Sequence, residues 1–253
     1  MRLGIITAQY EEVEWLVERI EHKDVSEICG RVFYSFESAG NEIVAVFSRW
    51  GKVAAAVTAS VLIEHFHPDF VVSVGLGSAV VPELNIGDVV VAQHLFQHDM
   101  DMRPLFRRYE VPLSGVTSYA VQENDQHLAA DAVHNLLKQS KELRRQLLDY
   151  GIAAPKLLLG DVASGDLLIT GASRKAAINR NLPSVLCADM ESAALAQVCA
   201  DFSVACVVLR IVSDVVDETA NNQQAEQFKN DFSAKYNVAI VQSLIEIIES
   251  SND

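Results

Sequence analysis

Short runs of apolar residues, separated by polar and glycine-containing segments, are the dominant pattern along this chain. Apolar runs of about four to eight residues predict buried β-strands, because a strand covered on both faces reads as an unbroken hydrophobic stretch. The pattern predicts strands at residues 3–6, 32–38, 43–47, 70–74, 88–92, 156–160 and 204–208. The second and third of these are expected to form an antiparallel hairpin that turns at Gly40 and Asn41.

Segments with apolar residues at helical spacing lie between the predicted strands. Val13, Leu16, Val17 and Ile20 fall on one face of a helix that begins near residue 11. Further helices are predicted at residues 124–150, 193–199 and 224–249. Strands that alternate with helices predict an α/β fold, and a chain of 253 residues fits one domain that spans residues 1–253.

Composition and charge narrow the class of protein. Half of the residues are hydrophobic and 21% are charged, which allows a large core without disulfide bonds. The net charge of −14 argues against nucleic-acid binding, because phosphates attract a basic surface. The cysteines lack metal-ligand spacing, and His98, Asp99 and Asp101 would alternate between faces of an extended chain. No apolar run fits a signal peptide or a membrane span, so we expect a cytoplasmic protein that binds neither metal nor membrane.

Charged residues after the apolar run at 204–208 are the first candidates for chemistry. Arg210, Ser213 and Asp214 follow this run, and Glu191 opens the helix that precedes it. Ligands gather outside the carboxyl ends of strands in open α/β sheets, so Glu191, Arg210 and Asp214 are expected to converge on one pocket. Buried charges of this kind either bind a ligand or form a structural ion-pair network, and the pattern alone leaves both readings open.

Three other segments that follow predicted strands carry candidate binding groups. Glu11 and Glu12 open the first helix, where carboxylates favour the positive end of the helix dipole, so the pattern alone favours helix capping. The strand-to-helix junction at 48–52 can present backbone N–H groups to an anion. The glycines of the 75–79 segment, predicted as a loop, allow the backbone to approach a ligand closely.

Four motifs, in order along the chain, carry a resemblance to a known family. They are Gly51-Lys-Val-Ala-Ala-Ala56, Ser164-Gly-Asp-Leu-Leu-Ile169, Met190-Glu-Ser-Ala193 and Arg210-Ile-Val-Ser-Asp214. This combination resembles the purine nucleoside phosphorylase superfamily and is most similar to its hydrolytic branch, the 5′-methylthioadenosine/S-adenosylhomocysteine nucleosidases. The resemblance implies a three-layer α/β/α sandwich with a mixed, partly closed central sheet. It also implies hydrolysis of the N-glycosidic bond of a 5′-substituted adenosine to release adenine, without cofactor or metal.

The resemblance also implies roles for individual residues. Glu12 matches the family's general base, which holds the attacking water, and Asp214 matches the acid that protonates the purine at N7, with Arg210 nearby to fix charge and geometry. Met190 would pack against the ribose, and Glu191 would accept hydrogen bonds from its 2′ and 3′ hydroxyl groups. Further substrate contacts, to the purine, the ribose or the 5′ group, are implied for Trp50, Leu76, Gly77, Ser78, Leu167, Leu168, Ile169, Ser213 and Phe228.

Several positions depart from the family's pattern. Trp50 stands where the family carries a small or aliphatic residue, and Leu76 stands where it carries a small polar one. Neither Leu167 nor Leu168 supplies the family's aromatic residue that stacks on the purine. With Gln9, these departures leave open a different 5′ group, such as that of a futalosine-type nucleoside, or a relative that binds nucleosides without cleaving them.

A phosphate-dependent purine nucleoside phosphorylase is the other alternative. A phosphate co-substrate needs converging cations and close backbone approach. Arg49 beside Gly51, together with Gly75 and Gly77, would supply part of such a site, whereas the carboxylate of Glu12 would repel phosphate.

The segment after the strand at 88–92 has an apolar tip. The tip consists of Met102, Pro104, Leu105 and Phe106. It matches a family loop that crosses a dimer interface, so the resemblance implies a homodimer in which residues 102–106 complete the partner's 5′ pocket. Arg103, Arg107 and Arg108 make these surroundings basic, which favours a larger or anionic 5′ group over methylthio.

Overall fold

The computed structural model describes residues 1–220 and 222–250, which form ten β-strands and eight α-helices. The strands are β1 (Arg2–Thr7), β2 (Asp24–Ile28), β3 (Arg31–Ser38), β4 (Asn41–Phe47), β5 (Phe70–Ala79), β6 (Val89–Gln97), β7 (Tyr119–Ala120), β8 (Leu157–Ser164), β9 (Val185–Asp189) and β10 (Ala205–Asp214). The helices are α1 (Tyr10–Val17), α2 (Lys52–Phe66), α3 (Glu123–Gln139), α4 (Lys141–Asp149), α5 (Ala172–Asn181), α6 (Ser192–Phe202), α7 (Gln223–Gln227) and α8 (Ser233–Ser250). A π-helical turn, Phe228–Phe232, joins α7 to α8.

All ten strands belong to one mixed sheet. Nine follow the spatial order β10-β6-β8-β9-β5-β1-β4-β3-β2, and β7 pairs with β6. Because β10 also pairs with β5, the strands from β10 to β5 close into a ring, from which β1, β4, β3 and β2 extend as an open sheet. The sheet contains parallel pairs, such as β1 with β5, and antiparallel pairs, such as β6 with β10. This mixed and partly closed sheet confirms the architecture that the resemblance implies.

Strand β4 shows why helices cover both faces of the open part of the sheet. Ile43 and Ala45 belong to the core cluster that includes residues of α1, α3 and α8. Val44 and Val46, between and beyond them, belong to the cluster that includes residues of α2 and α6. A strand buried on both faces needs an unbroken apolar run, which explains why the hydrophobic pattern identified it.

Two strands continue past their apolar runs and carry site residues with them. β5 extends to Ala79 because β10 pairs along it and β9 joins it at Ser78 and Ala79. The prediction that residues 75–79 form a loop is therefore wrong. β10 likewise extends to Asp214, well beyond its predicted end at residue 208. Glycines and charged residues end a hydrophobic run without ending the backbone hydrogen bonds of a strand.

Other elements differ from the predicted ones in detail. β2, β9 and α5 have no predicted counterpart. The helix expected at 124–150 is two helices, divided at Ser140, whose Oγ accepts a hydrogen bond from the backbone N–H of Leu143 (3.1 Å) and caps α4. The β3–β4 hairpin is confirmed, with its turn at Ala39 and Gly40. In the part of the chain that the structure describes, no helix combines the length and the apolar character needed to cross a membrane.

Candidate active site

Glu12 lies in the first turn of α1 and its side chain is completely buried. Its Oε2 accepts hydrogen bonds from the backbone N–H groups of Ala8 and Gln9, both at 3.0 Å, and its Oε1 accepts one from Nδ2 of Asn237 at 2.6 Å. Burial raises the pKa of Glu12 to about 8, against the opposing effect of these hydrogen bonds and of the nearby Arg210 charge. Glu12 thus caps the helix start, and it also carries the perturbed pKa that is common at functional sites. Glu11, the preceding residue, is exposed.

Arg210, on β10, is fully buried in an ion pair with Asp189 at the end of β9. Its Nε donates to Asp189 Oδ2 at 2.7 Å, and its two terminal nitrogens donate to the carbonyl of Leu209 and to Oγ of Ser73. The hydroxyl groups of Ser164 and Ser192 also donate to Asp189. The structural ion-pair reading therefore holds for Arg210. Its partner Asp189 was missed as a site residue, although it directly precedes the Met190-Glu191 motif.

Glu191 lies one residue before α6 and is almost fully buried. Its Oε1 accepts a hydrogen bond from the backbone N–H of Gly51 at 2.9 Å, and its Oε2 accepts a longer one from the N–H of Met190 at 3.3 Å. Burial, followed by the negative charge of Asp189, raises the pKa of Glu191 to about 7. Met190 is half-buried beside this carboxylate. The junction at 48–52 therefore presents a backbone N–H to a carboxylate of the chain itself.

Asp214, the last residue of β10, meets donors from three directions. Oγ of Ser78 lies 2.6 Å from its Oδ1, and Oγ of Ser213 lies 3.4 Å from its Oδ2. The ammonium of Lys175, on α5, also donates to Oδ1. Ser78 Oγ is 3.0 Å from the carbonyl oxygen of Ile169 as well, which ties the 164–169 motif to this carboxyl group.

Lys175 is a site residue that the sequence analysis missed. Its side chain is only 2% exposed, and α5 buries it on the same side as Ile178, three residues later. A lysine at the apolar position of a helix is the one local signal that marks it, because lysine is almost never fully buried without a partner.

Two glycines of β5, Gly75 and Gly77, allow the close packing of this strand against Ala8 and Arg210. A methyl group added at Gly75 would lie 2.5 Å from the Ala8 side chain, and one added at Gly77 would lie 3.2 Å from Cβ of Arg210. The close approach at Gly75 brings Ala8, whose N–H group binds Glu12, against β5. The strand β10, which pairs with β5, carries Arg210 and Asp214. Glu12, Arg210, Glu191 and Asp214 thus lie around one end of β5.

The remaining predicted contacts occupy different environments. Trp50 is 73% exposed, although its Nε1 donates to the carbonyl of Ala8 at 3.0 Å. Leu167 and Leu168 are exposed, while Leu76 is partly buried and packs against the core. Phe228 is fully buried, and its ring packs with those of Tyr150 and Phe232.

The position of Phe228 corrects the expectation that it lines the 5′ pocket. The π-helical turn that begins at Phe228 places this ring and that of Phe232 together in the main hydrophobic core. Such a fully enclosed ring has no free surface to offer a ligand.

The cations near the site offer little to a phosphate. Arg49 donates to the backbone carbonyl of Gly30. Arg210 and Lys175 are each paired with a carboxylate. Among the residues that the structure describes, no group of three or more His, Cys, Asp or Glu side chains is arranged to hold a metal ion.

The arginines of the segment after β6 are also engaged within the chain. Arg103 pairs with Asp101 at 2.6 Å, Arg107 pairs with Glu110 at 2.8 Å, and Arg108 donates to Asn181 at 3.0 Å. The predicted basic surroundings of the 5′ group are therefore largely neutralised by local partners.

Comparisons with known proteins match nearly the whole chain. The family model of the phosphorylase superfamily matches residues 2–249. The chain is 29% identical over 249 residues to a 5′-methylthioadenosine/S-adenosylhomocysteine nucleosidase of Geobacillus sp. (strain WCH70), a match that covers 98% of this chain and 100% of that protein.

Two solved structures show the same fold. The 5′-methylthioadenosine/S-adenosylhomocysteine nucleosidase of Campylobacter jejuni is 29% identical with a TM-score of 0.82, and the match covers 97% of this chain and 99% of that one. The futalosine hydrolase of Helicobacter pylori strain 26695 is 27% identical with a TM-score of 0.81, and the match covers 97% of each chain. The chain belongs to the phosphorylase superfamily.

Proposed function

We propose that this protein is a nucleosidase that hydrolyses the N-glycosidic bond of a 5′-substituted adenosine and releases adenine. The observation that carries the proposal is the placement of two carboxyl groups, Glu12 and Asp214, on either side of the carboxyl end of β5. Glu12 lies on the helix that follows β1, Asp214 ends β10, and both of these strands pair with β5. One is buried with a raised pKa, and the other is partly exposed and held by side-chain donors. Relatives with nucleosidase names over nearly the whole chain support the same reaction class.

The reaction needs an acid at the purine and a base at the anomeric carbon. Asp214 gives a proton to N7 of the purine while the C1′–N9 bond breaks and the electron pair of that bond moves into the purine ring. Glu12 removes a proton from water as the water oxygen bonds to C1′. Glu191 accepts hydrogen bonds from the ribose hydroxyl groups, and its negative charge stabilises the cationic ribose of the transition state. This scheme uses only side chains and water.

Phosphorolysis fits the site less well. A bound phosphate would lie near the carboxylates of Glu12, Glu191 and Asp189, and the guanidinium of Arg210 is already paired with Asp189. Hydrolysis by water requires no additional cation.

A phosphate-free assay of purine release tests the reaction class and the substrate together. We expect release of adenine from methylthioadenosine or S-adenosylhomocysteine, at a higher kcat/KM than from adenosine, because the exposed indole of Trp50 offers apolar surface near the site. A futalosine-type nucleoside completes the panel. Turnover that starts only when phosphate is added, with ribose 1-phosphate as product, would establish the phosphorylase alternative. Tight binding of these nucleosides without cleavage would instead identify a binding protein.

We further propose a homodimer, on the basis of an exposed apolar surface beside the site. This surface comprises Trp50, Val53 and Val57 at the start of α2, Met102, Leu105 and Leu113 after β6, and Leu167 and Leu168 after β8. The three segments are joined at one point: Asp99 Oδ1 accepts from Lys52 Nζ at 2.6 Å, Asp99 Oδ2 accepts from the N–H of Asp166 at 2.9 Å, and Asp166 Oδ1 accepts from the N–H of Lys52 at 2.8 Å. Exposed apolar residues that cluster in this way typically mark an interface.

Leu105→Asp tests the dimer. Leu105 is 77% exposed, and a carboxylate there would be desolvated in the interface. We expect the mass measured by light scattering to fall to that of one chain, 27.8 kDa, with reduced activity because residues 102–106 no longer complete the partner's pocket. Leu148→Asp, an equally apolar exposed position on α4, is the matched control. A wild-type protein that is monomeric at assay concentration would overturn the proposal.

We expect the protein to act in the cytoplasm. Its four cysteines are unpaired thiols, and two of them, Cys187 and Cys199, are buried. Free thiols of this kind are usual in a reducing compartment.

A further inference from the structure

Lys175 is a buried cation that no step of the proposed reaction uses. It lies on α5, and its ammonium donates to the carboxylate of Asp214 and, at 2.8 Å, to the backbone carbonyl of Val215. Burying an ammonium is unfavourable unless its partners offset the lost hydration. The only carboxylate that the structure pairs with it, among the described residues, is the proposed acid.

The two oxygens of Asp214 are held differently. Oδ1 receives the ammonium of Lys175 and lies 2.6 Å from Oγ of Ser78. Among the described residues, Oγ of Ser213 is the one hydrogen-bonding neighbour of Oδ2, at 3.4 Å, which is long for a hydroxyl donor. Lys175 and Ser78 therefore anchor one oxygen and leave the other free to meet a ligand. The Asp214 side chain is 35% exposed, whereas that of Lys175 is buried behind it.

We propose that Lys175 is a positioning residue that acts through Asp214 on the protonation of the leaving purine. Lys175 anchors Oδ1, so that the proton on Oδ2 is directed at N7. As the Oδ2–H bond breaks and the N7–H bond forms, the C1′–N9 electron pair enters the purine and Asp214 becomes a carboxylate beside the ammonium. Lys175 keeps its own protons throughout, and Oδ2 regains a proton from solvent after the products leave. The inference rests on the proposed nucleosidase function.

Relative to the substrate complex in which Oδ2 of Asp214 carries a proton, the charge of Lys175 favours the transition state. A neutral carboxylic acid interacts weakly with an ammonium, whereas the carboxylate that develops during proton transfer interacts strongly. An interaction that grows along the reaction coordinate raises kcat rather than substrate affinity. A lysine with a purely structural role would instead affect stability and every activity alike.

A double-mutant cycle with Asp214 separates these roles. We expect Lys175→Met to lower kcat on the best nucleoside substrate by roughly 10- to 100-fold with little change in KM. In an Asp214→Asn background, which has no proton to transfer, Lys175→Met should change the remaining kcat by less than about twofold. Equal losses in both backgrounds would overturn the inference.

Three controls keep the result interpretable. Lys141→Met removes an exposed lysine at the start of α4 and should leave kcat unchanged. Lys175→Arg retains the charge and should recover part of the lost kcat. A 7-deaza analogue of the substrate, which lacks the N7 acceptor, should bind Lys175→Met with the wild-type Kd. Loss of analogue binding in this variant would mark Lys175 as structural and overturn the inference.

The two proposals fail in different ways. If the wild-type protein releases no base from any nucleoside of the panel, the nucleosidase function is wrong. If the wild-type protein is active and the cycle shows equal losses, only the role of Lys175 is wrong.

Discussion

Replacing Glu12 with Gln is expected to lower kcat by about 10²–10⁴-fold, the usual cost of losing a positioned general base. The fold should survive, because Gln keeps an oxygen for the N–H groups of Ala8 and Gln9. The new amide N–H of the substituted side chain can donate to Oδ1 of Asn237 once the Asn237 amide flips. In the structure, Asn237 Oδ1 is buried without a hydrogen-bond partner among the described residues.

Steady-state kinetics of Glu12→Gln, compared with Glu11→Gln, provide the measurement. Glu11 is the exposed neighbour on the same helix, so its replacement controls for the loss of one negative charge. Wild-type rates in Glu12→Gln would contradict the assignment of the base.

The raised pKa of Glu12 gives this variant a second, pH-dependent signature. The ionised carboxylate is the form that accepts a proton, and its fraction rises as pH increases through about 8. Ionisation of Glu12 should therefore add a rising limb to the wild-type kcat/KM over this range. Glu12→Gln should lack that limb and keep the one from Glu191, whose pKa is raised to about 7.

Stability should change in the opposite sense. Because the pKa of Glu12 is higher in the folded protein than in the unfolded chain, the folded state holds the proton more tightly. Wild-type stability therefore falls as pH rises from about 4.5 to about 8. Glu12→Gln lacks this term, so its Tm relative to wild type should increase across the same range. A constant difference in Tm would show that Glu12 is not buried as described.

Replacing Asp214 with Asn should be similarly damaging, with a loss in kcat of about 10²–10⁴-fold. Asn can keep Oδ1 toward Lys175 and Ser78 and present an N–H group where Oδ2 was. That group can donate a hydrogen bond to N7 but cannot transfer a proton. Binding should therefore persist while cleavage fails.

The measurement is a comparison of kcat with the Kd of the 7-deaza analogue for Asp214→Asn. Asp201→Asn, an exposed aspartate near the end of α6, is the control for the same chemical change. If Asp214→Asn cleaves the substrate at the wild-type rate, Asp214 is not the acid.

Local pattern was sufficient for the parts of this fold that are buried on both faces. β1, β4 and the first half of β5 are mostly apolar because helices cover them on either side. It was insufficient where burial is partial: β2 lies at the edge of the sheet with an exposed face, and its composition does not distinguish it from a loop. The predicted strands β5 and β10 end too early, because the ends of these strands that lie at the site contain glycine, serine and charged residues.

The candidate site divides in the same way. The position of strand ends predicted one pocket for Glu191, Arg210 and Asp214, and the resemblance added a role for Glu12. In the structure these residues lie around one end of β5. The sequence could not supply their partners. Asn237 contacts Glu12 across 225 positions of sequence, and Lys175 reaches Asp214 from a helix that the hydrophobic pattern did not reveal. Conversely, Phe228 was assigned to the 5′ pocket by its position in the chain, and packing with Tyr150 and Phe232 places it in the core.

The sequence by itself thus determined most of the buried strands and several helices, the α/β class and the motifs of the phosphorylase superfamily, because these depend on residues that are neighbours in the chain. Only the tertiary structure decided which charges are paired. The pairing of β10 with β5, which closes the ring of strands, brings Arg210 to Asp189 and sets β10 beside Ser78. The packing of α5 against that ring buries Lys175 next to Asp214. Which partner a buried charge finds depends on the closure of the sheet and the packing of helices on it, and neither leaves a trace in the spacing of residues along the chain.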